Sequence, residues 1–144
     1  MYVIAKKIVL LMILALFLAV GTLPAVFAEA PKPARTIVVT YFHTTMRCPT
    51  CHNIEEYAKE AVQCHFENEL KSGAVTWRVI NVEEPGNEHF VKDYQLYSKH
   101  LIVSEIKDGK EARWKDLKEI WTKVRDEAAF NEYVKTEVAA WLKD

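Results

Sequence analysis

Glycine is scarce in this chain, with four residues in 144, and no glycine-rich loop is present that could cradle a phosphate group. No basic stripe or alternation of basic and aromatic residues is found either, which argues against nucleic acid as a partner. Cysteine is also rare. A disulfide-stapled scaffold needs an even number of cysteines, and this chain has three, Cys48, Cys51 and Cys64. Two of the three, Cys48 and Cys51, form a CxxC pair, which indicates redox or metal chemistry in a domain of this size.

The first 28 residues have the layout of a secretory signal. Lys6 and Lys7 precede an uncharged apolar run, and Val26-Phe27-Ala28 offers the small residues of a signal-peptidase site. The same run is about long enough to cross a bilayer, so a retained membrane anchor is the alternative. Both interpretations place the remaining chain outside the cytoplasm, in the periplasm or the extracellular space. Contact with a membrane is expected only through this segment, if it is not cleaved.

The residues after this segment predict one folded domain. Residues 29–35 form a proline-containing linker, and the domain is expected to span residues 36–143. Apolar runs rich in β-branched residues predict strands at residues 36–42, 75–82 and 101–106, with a short fourth strand ending near Trp114. Helical spacing predicts helices at residues 49–71, 88–94, 117–124 and from Asp126 onward. Asp108-Gly109 predicts a tight hairpin between the last two strands.

The predicted order is β-α-β-α-β-β-α. A long helical crossover joins the first two strands, which should therefore be parallel, whereas the last two form an antiparallel hairpin. We therefore expect an α/β domain with a central mixed sheet of four strands flanked by helices. This arrangement resembles the thioredoxin fold.

The motif Cys48-Pro49-Thr50-Cys51 lies where the first strand leads into the long helix. Pro49 suits the first helical turn because it has no N–H group to leave unpaired. Free amides at the helix start, together with the adjacent Arg47, are expected to lower the pKa of Cys48. The spacing of three residues places the sulfur of Cys51 on the same helical face. Cys48 is thus the expected nucleophile and Cys51 the resolving thiol, with no bound cofactor required.

Residues 79–85, followed by residues 107–110, resemble the second half of a thioredoxin domain, in which a strand leads through a short helix to an Asp-Gly or Asn-Gly hairpin. Thioredoxins also place a cis-proline beside the CxxC, just before the third strand. This chain has no proline after Pro85, and the corresponding place falls near His100 or Leu101. This departure argues against broad peptide specificity but not against simple exchange with one dedicated partner.

Three short segments resemble small exported bacterial proteins that are identified as the nitrophenyl compound nitroreductase subunit ArsF family: residues 41–43, 46–51 and 83–85. This resemblance implies a redox subunit of a larger system, with a protein thiol or disulfide as its partner. If the pair works as a reductant outside the cytoplasm, a membrane electron donor must supply it. Only Cys48 and Cys51 are carried over from the family as functional residues.

Two other kinds of site would use the same cysteines. Cys48-Pro49-Thr50-Cys51-His52 is a literal C-x-x-C-H motif, which attaches c-type haem with the histidine as an iron ligand. The thiolates of Cys48 and Cys51, assisted by His43 or His52, could instead hold a soft metal ion such as Cu(I), Zn(II) or As(III). The predicted strand content leaves little room for a helical haem pocket. Thiol–disulfide exchange is the preferred interpretation because the CxxC opens a helix directly after an apolar strand.

Two further residues of the long helix carry expectations. Cys64 is expected to be a small packing residue, with an intermolecular disulfide as the alternative, and His65 is expected to be a core histidine. Cys64 lies about 20 Å along the helix from Cys51, which is too far to join the CxxC site.

Overall fold

A four-stranded sheet lies at the centre of the computed structural model, which describes residues 33–143. Its strands are β1 (Arg35–His43), β2 (Val75–Asn81), β3 (His100–Lys107) and β4 (Lys110–Asp116). The helices are α1 (Pro49–His65), α2 (Glu67–Ser72), α3 (His89–Asp93), α4 (Ile120–Lys123) and α5 (Glu127–Lys143). The expected signal or anchor at residues 1–28 and most of the expected linker lie outside the described residues. None of the described helices is long and apolar enough to cross a bilayer.

The strand order in the sheet is β2-β1-β3-β4. β1 and β2 are parallel, in a register that places Ile37 opposite Val75 and His43 opposite Asn81. β3 runs antiparallel to β1, and β4 runs antiparallel to β3. This order and these directions are those of the thioredoxin fold, so the predicted mixed α/β class is confirmed.

β1 occupies a central position because it is apolar on both faces. Residues 36–42 are all buried. The side chains of Ile37, Val39 and Tyr41 join the main core on one face, whereas Phe42 joins a smaller cluster on the other. A strand covered on both faces is expected to appear in the sequence as a continuous apolar run, as this strand does.

The main core lies between one face of the sheet and helices α1 and α5. Its helical residues are Ile54, Ala58, Ala61 and Val62 of α1 and Phe130, Val134, Val138 and Trp141 of α5. The start of α5 is fixed by Asp126, whose Oδ1 accepts a hydrogen bond from the N–H of Ala129 at 3.0 Å. The helix predicted from Asp126 onward is therefore confirmed.

A smaller cluster on the opposite face fixes the segment between β2 and β3. Its buried members are Phe42, Val82, Leu96 and Ile102, and Phe90 and Tyr94 pack against them. The rings of Phe90 and Tyr94 each lie 5.2 Å from the ring of Phe42, measured between centroids. This cluster holds the residues that precede β3 against the end of the sheet at which β1 finishes.

The helix predicted for residues 49–71 is in fact two helices. α1 ends at His65, and Phe66 adopts φ −130° and ψ 34° before α2 begins. The break allows Phe66 to turn into the core, where it is 5% exposed. Gly73 ends α2 with φ 76°, a left-handed conformation that glycine adopts without strain. The hairpin prediction is also confirmed, since Asp108 and Gly109 have φ values of 51° and 78°.

The predictions for Cys64 and His65 are wrong. Cys64 is a free, exposed cysteine, and His65 is also exposed. The helical pattern suggested that position 65 continues the buried stripe after Val62. Because the helix ends there, Phe66 takes the core position instead and His65 is left in solvent.

Candidate active site

Cys48 and Cys51 form a disulfide at the start of α1, with their Cα atoms 5.1 Å apart. Cys48 is the N-cap residue of the helix, in an extended conformation, and Pro49 follows in the first turn. The Sγ atom of Cys48 accepts a hydrogen bond from the N–H of Cys51 at 3.3 Å. An amide that could stabilise a thiolate on Cys48 is therefore already directed at its sulfur.

The two cysteines differ in their access to solvent. Cys48 is exposed, whereas Cys51 is 2% exposed on the helix face that packs against the sheet. The hydroxyl of Tyr41, on β1, donates a hydrogen bond to the carbonyl oxygen of Cys51 at 2.8 Å. A partner in solution can therefore reach the sulfur of Cys48 but not that of Cys51.

Arg47 lies next to Cys48, but its charge is paired with a residue that the sequence did not single out. Its guanidinium forms a salt bridge with Glu55 of α1 and lies over the ring of Tyr41, with Cζ 5.8 Å from the ring centroid. The side chains of Arg47 and Glu55 are only 18% and 26% exposed. Glu55 lies four residues after Cys51 and therefore on the same face of α1. That spacing is the signal in the sequence by which Glu55 could have been found.

Burial raises the pKa of Tyr41 to about 12, an effect that Arg47 opposes and Glu55 reinforces. The phenol therefore keeps its proton at neutral pH and remains a donor to the carbonyl of Cys51. Tyr41 supports the first turn of α1 from beneath. It does not act as a proton acceptor for either cysteine.

The loop from β1 to Cys48 is tied to the end of β2. The carboxylate of Glu83 accepts a hydrogen bond from the N–H of Thr45 at 2.8 Å, and the Asn81 side-chain amide donates to the Thr45 hydroxyl at 3.1 Å. The hydrogen bonds from Thr45 lower the pKa of Glu83. These contacts give the loop a defined path into the CxxC.

His100 is one of the two residues at which the sequence resemblance placed the missing cis-proline. It begins β3 opposite Phe42, and residues 33–143 contain no cis peptide bond. The ring is 4% exposed, with Nδ1 3.0 Å from a carboxylate oxygen of Asp116, while Nε2 accepts a hydrogen bond from the N–H of Tyr97 at 3.3 Å. Nδ1 must then carry the proton and donate to Asp116. These hydrogen bonds fix the turn that precedes β3.

A cavity of about 490 Å³ opens beside the same loop. Thr44 of the β1–α1 loop lines one part of it, and the segment from Leu96 to Lys99 lines another. Two apolar side chains in this part of the chain are strongly exposed: Met46 of the loop is 83% exposed and Tyr97 is 82% exposed.

The arrangement does not suit a haem bonded through both cysteines. Such a haem needs both sulfurs at its edge, and Cys51 lies in the packed interface between α1 and the sheet. His52 is exposed on the next turn of the helix. Within residues 33–143, no group of three or more histidine, cysteine or acidic side chains is placed to hold a metal ion. The site as it stands is a disulfide between an exposed and a buried sulfur.

Comparison with protein-family models and with curated proteins finds no match. Among solved structures, the chain is similar to a thioredoxin of Fasciola hepatica, at 24% identity over 63% of this chain and 76% of that one, with a TM-score of 0.38. It is also similar to a cysteine-to-serine mutant of a thioredoxin from Entamoeba histolytica, at 19% identity over 70% and 81% of the two chains, with a TM-score of 0.40. A malarial protein is 16% identical over 61% of this chain and 96% of its own, with a TM-score of 0.38.

The strand order of the sheet and the position of Cys48 and Cys51 define the class of this protein. It is a thioredoxin-like α/β domain that carries a CxxC disulfide at the start of the helix following its central strand.

Proposed function

We propose that this protein exchanges thiols and disulfides with a protein partner through Cys48 and Cys51. The observation that carries the proposal is the asymmetry of the disulfide. Cys48 is an exposed residue whose sulfur accepts an amide hydrogen bond, whereas Cys51, to which it is bonded, is buried. Exchange requires one accessible sulfur that attacks as a thiolate and a second that resolves the mixed disulfide from within the protein.

In the reducing direction, the thiolate of Cys48 attacks one sulfur of a disulfide in the partner. The S–S bond of the partner breaks, and its second sulfur leaves as a thiolate and takes a proton from water. Cys51 then loses its proton, and its sulfur attacks the Sγ atom of Cys48. A disulfide forms within this protein, the partner is released as a dithiol, and two electrons have passed to the partner.

The same steps in reverse oxidise a partner dithiol, and the relative potentials of the two pairs set the direction. Outside the cytoplasm a dithiol is oxidised by default, so sustained reduction requires a dithiol donor in the membrane. We propose that such a donor supplies this protein and that it serves as the redox subunit of a larger system. The resemblance of residues 41–43, 46–51 and 83–85 to the nitrophenyl compound nitroreductase subunit ArsF family supports this role.

We further propose that the protein acts outside the cytoplasm, because residues 1–28 have the layout of an export signal. Expression of the full chain in a bacterial host, followed by cell fractionation, should place the CxxC domain in the periplasmic or membrane fraction. Replacing Lys6, Lys7 and the apolar run by polar residues should retain it in the cytoplasm. Full-length protein found in the cytoplasm before any substitution would contradict the export proposal.

Replacement of Cys51 by serine should trap the partner. A mixed disulfide on Cys48 cannot be resolved when the second thiol is missing, so it accumulates. Mass spectrometry of complexes isolated after acid quenching should identify a partner cysteine joined to Cys48. A Cys64→Ser variant with an intact CxxC serves as the control, and it should trap nothing while exchanging normally. The proposal fails if the Cys51→Ser variant captures no partner while the unaltered protein is purified with stoichiometric copper or zinc.

A further inference from the structure

Three side chains lie close together beneath the CxxC and take no part in the exchange steps described above. Arg47 and Glu55 form a largely covered salt bridge, and the Arg47 guanidinium rests over the ring of Tyr41. The hydroxyl of Tyr41 in turn reaches the carbonyl of Cys51. The Arg47–Glu55 salt bridge is thus connected to both ends of the CxxC, since Arg47 precedes Cys48 and Glu55 lies one turn after Cys51.

The Arg47 guanidinium is poorly hydrated and only partly satisfied. Its Nε atom is buried and makes no hydrogen bond within residues 33–143, so Glu55 is the charged group that holds it. A cation that is only 18% exposed interacts with nearby charges more strongly than one in open solvent, because water screens it less. Its field at the neighbouring sulfur therefore depends on whether Glu55 is ionised and in place.

We propose that Glu55 sets the redox poise of the Cys48–Cys51 pair by neutralising the guanidinium of Arg47, the residue that precedes Cys48. Glu55 acts through Arg47 and does not touch the reacting sulfurs, so it is a positioning residue. This inference rests on the proposed function, because it concerns the equilibrium of the same disulfide.

The direction in which each substitution shifts the thiol–disulfide equilibrium follows from the charges of Arg47 and Glu55. Removing the negative charge of Glu55 leaves the positive charge of Arg47 uncompensated, which stabilises the thiolate of Cys48 and favours the reduced form. Removing Arg47 leaves Glu55 uncompensated, which disfavours the thiolate and favours the disulfide. When both charges are removed, the two effects cancel and the equilibrium should return close to its original position.

The test is the equilibrium of the disulfide with glutathione at pH 8, in chains that all carry Cys64→Ser. Two molecules of reduced glutathione supply two electrons and two protons, which gives the dithiol and one molecule of glutathione disulfide. We expect Glu55→Gln to shift this equilibrium about three- to tenfold toward the dithiol, and Arg47→Gln to shift it by a similar factor toward the disulfide. A tenfold shift corresponds to about 30 mV for this two-electron couple.

Two controls separate the effect of the charge pair from general loosening of the fold. Glu56 is exposed on the same helix, so Glu56→Gln removes the same charge without touching Arg47, and it should shift the equilibrium less than about twofold. The double variant Arg47→Gln/Glu55→Gln should also lie within about twofold of the starting value. If Glu55→Gln alone does not fold, Arg47→Gln and the double variant still provide the comparison of sign.

Shifts of the same direction in both single variants would overturn the inference, as would equal shifts in Glu55→Gln and Glu56→Gln. In either case, the proposed exchange function still holds if the Cys64→Ser protein without further substitutions equilibrates normally with glutathione. If the starting protein does not equilibrate with glutathione at all, the proposed function itself fails and the inference falls with it.

Discussion

Replacement of Cys48 by serine should reduce disulfide exchange by about 10³-fold or more, because a serine hydroxyl without an adjacent base is not ionised at neutral pH. Cys51 cannot take over the attack, since it is 2% exposed on the buried side of α1. The measurement is the reaction of the reduced protein with an aryl disulfide that releases a coloured thiolate. It should be made in a Cys64→Ser background, because Cys64 is exposed and would react on its own.

The stoichiometry of this reaction distinguishes the roles of the two cysteines. With both present, attack by Cys48 releases one aryl thiolate, and resolution by Cys51 releases a second. A Cys51→Ser variant should release one aryl thiolate at nearly the original rate and stop at the mixed disulfide. Fast release from the Cys48→Ser variant would show that Cys51 is accessible and would reverse the assigned roles.

The second large effect concerns stability, and it centres on Glu105 of β3. This carboxylate is 1% exposed because three long cationic side chains cover it: Arg35, Lys107 and Arg113. Arg35 also donates to the carbonyl of Trp141, and the guanidinium of Arg113 lies 4.5 Å from the centroid of the Trp141 ring. Glu105 therefore joins strands β1, β3 and β4 to the end of α5.

Replacement of Glu105 by glutamine should lower the free energy of unfolding by about 1–3 kcal/mol, since the buried amide loses the charge-assisted hydrogen bonds from Arg35 and Arg113. Urea unfolding at pH 7 measures this effect. An exposed carboxylate such as Glu84 provides the control, because Glu84→Gln should change the free energy of unfolding by less than about 0.5 kcal/mol. Equal losses in the two variants would show that Glu105 makes no special contribution.

The pH dependence of stability gives an independent test of the same cluster. The hydrogen bond from Arg35, aided by Arg113 and Lys107 against the cost of burial, lowers the pKa of Glu105 to about 2. In the unfolded chain the pKa of a glutamate is about 4.3. Because the folded pKa is the lower one, the stabilisation is fully present above the unfolded value and is lost as the pH falls toward 2. Unfolding experiments between pH 5 and pH 2 should show this loss in the unaltered protein and a smaller loss in Glu105→Gln.

The features that could be predicted from the sequence are those that local pattern determines. The β-branched run of residues 36–42 could only suit a strand covered on both faces, and Asp108-Gly109 specified the backbone of a two-residue hairpin. Pro49, directly after an apolar strand and followed by helical spacing, marked the start of α1 at the CxxC. Together these elements fixed the topology, since a helical crossover and a hairpin leave few ways to order four strands.

The features that were missed depend on contacts between distant parts of the chain. The break at Phe66 arises because a large ring is better buried than His65, and the helical pattern is compatible with either residue in the core. The salt bridge of Arg47 with Glu55 and the position of its guanidinium over the ring of Tyr41 were also missed, because they join the loop to α1 and β1. The hydrogen bond between His100 and Asp116 joins β3 to β4, so it became visible only in the folded structure.

The most direct test of the account compares Cys48 and Cys64 in one reduced molecule. Both thiols are exposed, but Cys48 caps the start of α1, where amides stabilise a thiolate, and Cys64 lies in its last turn, where they do not. Alkylation with iodoacetamide at pH 6, followed by mass spectrometry of each cysteine, measures the two rates in the same sample. The account predicts that Cys48 reacts at least about tenfold faster than Cys64. Equal rates at the two sites would contradict it.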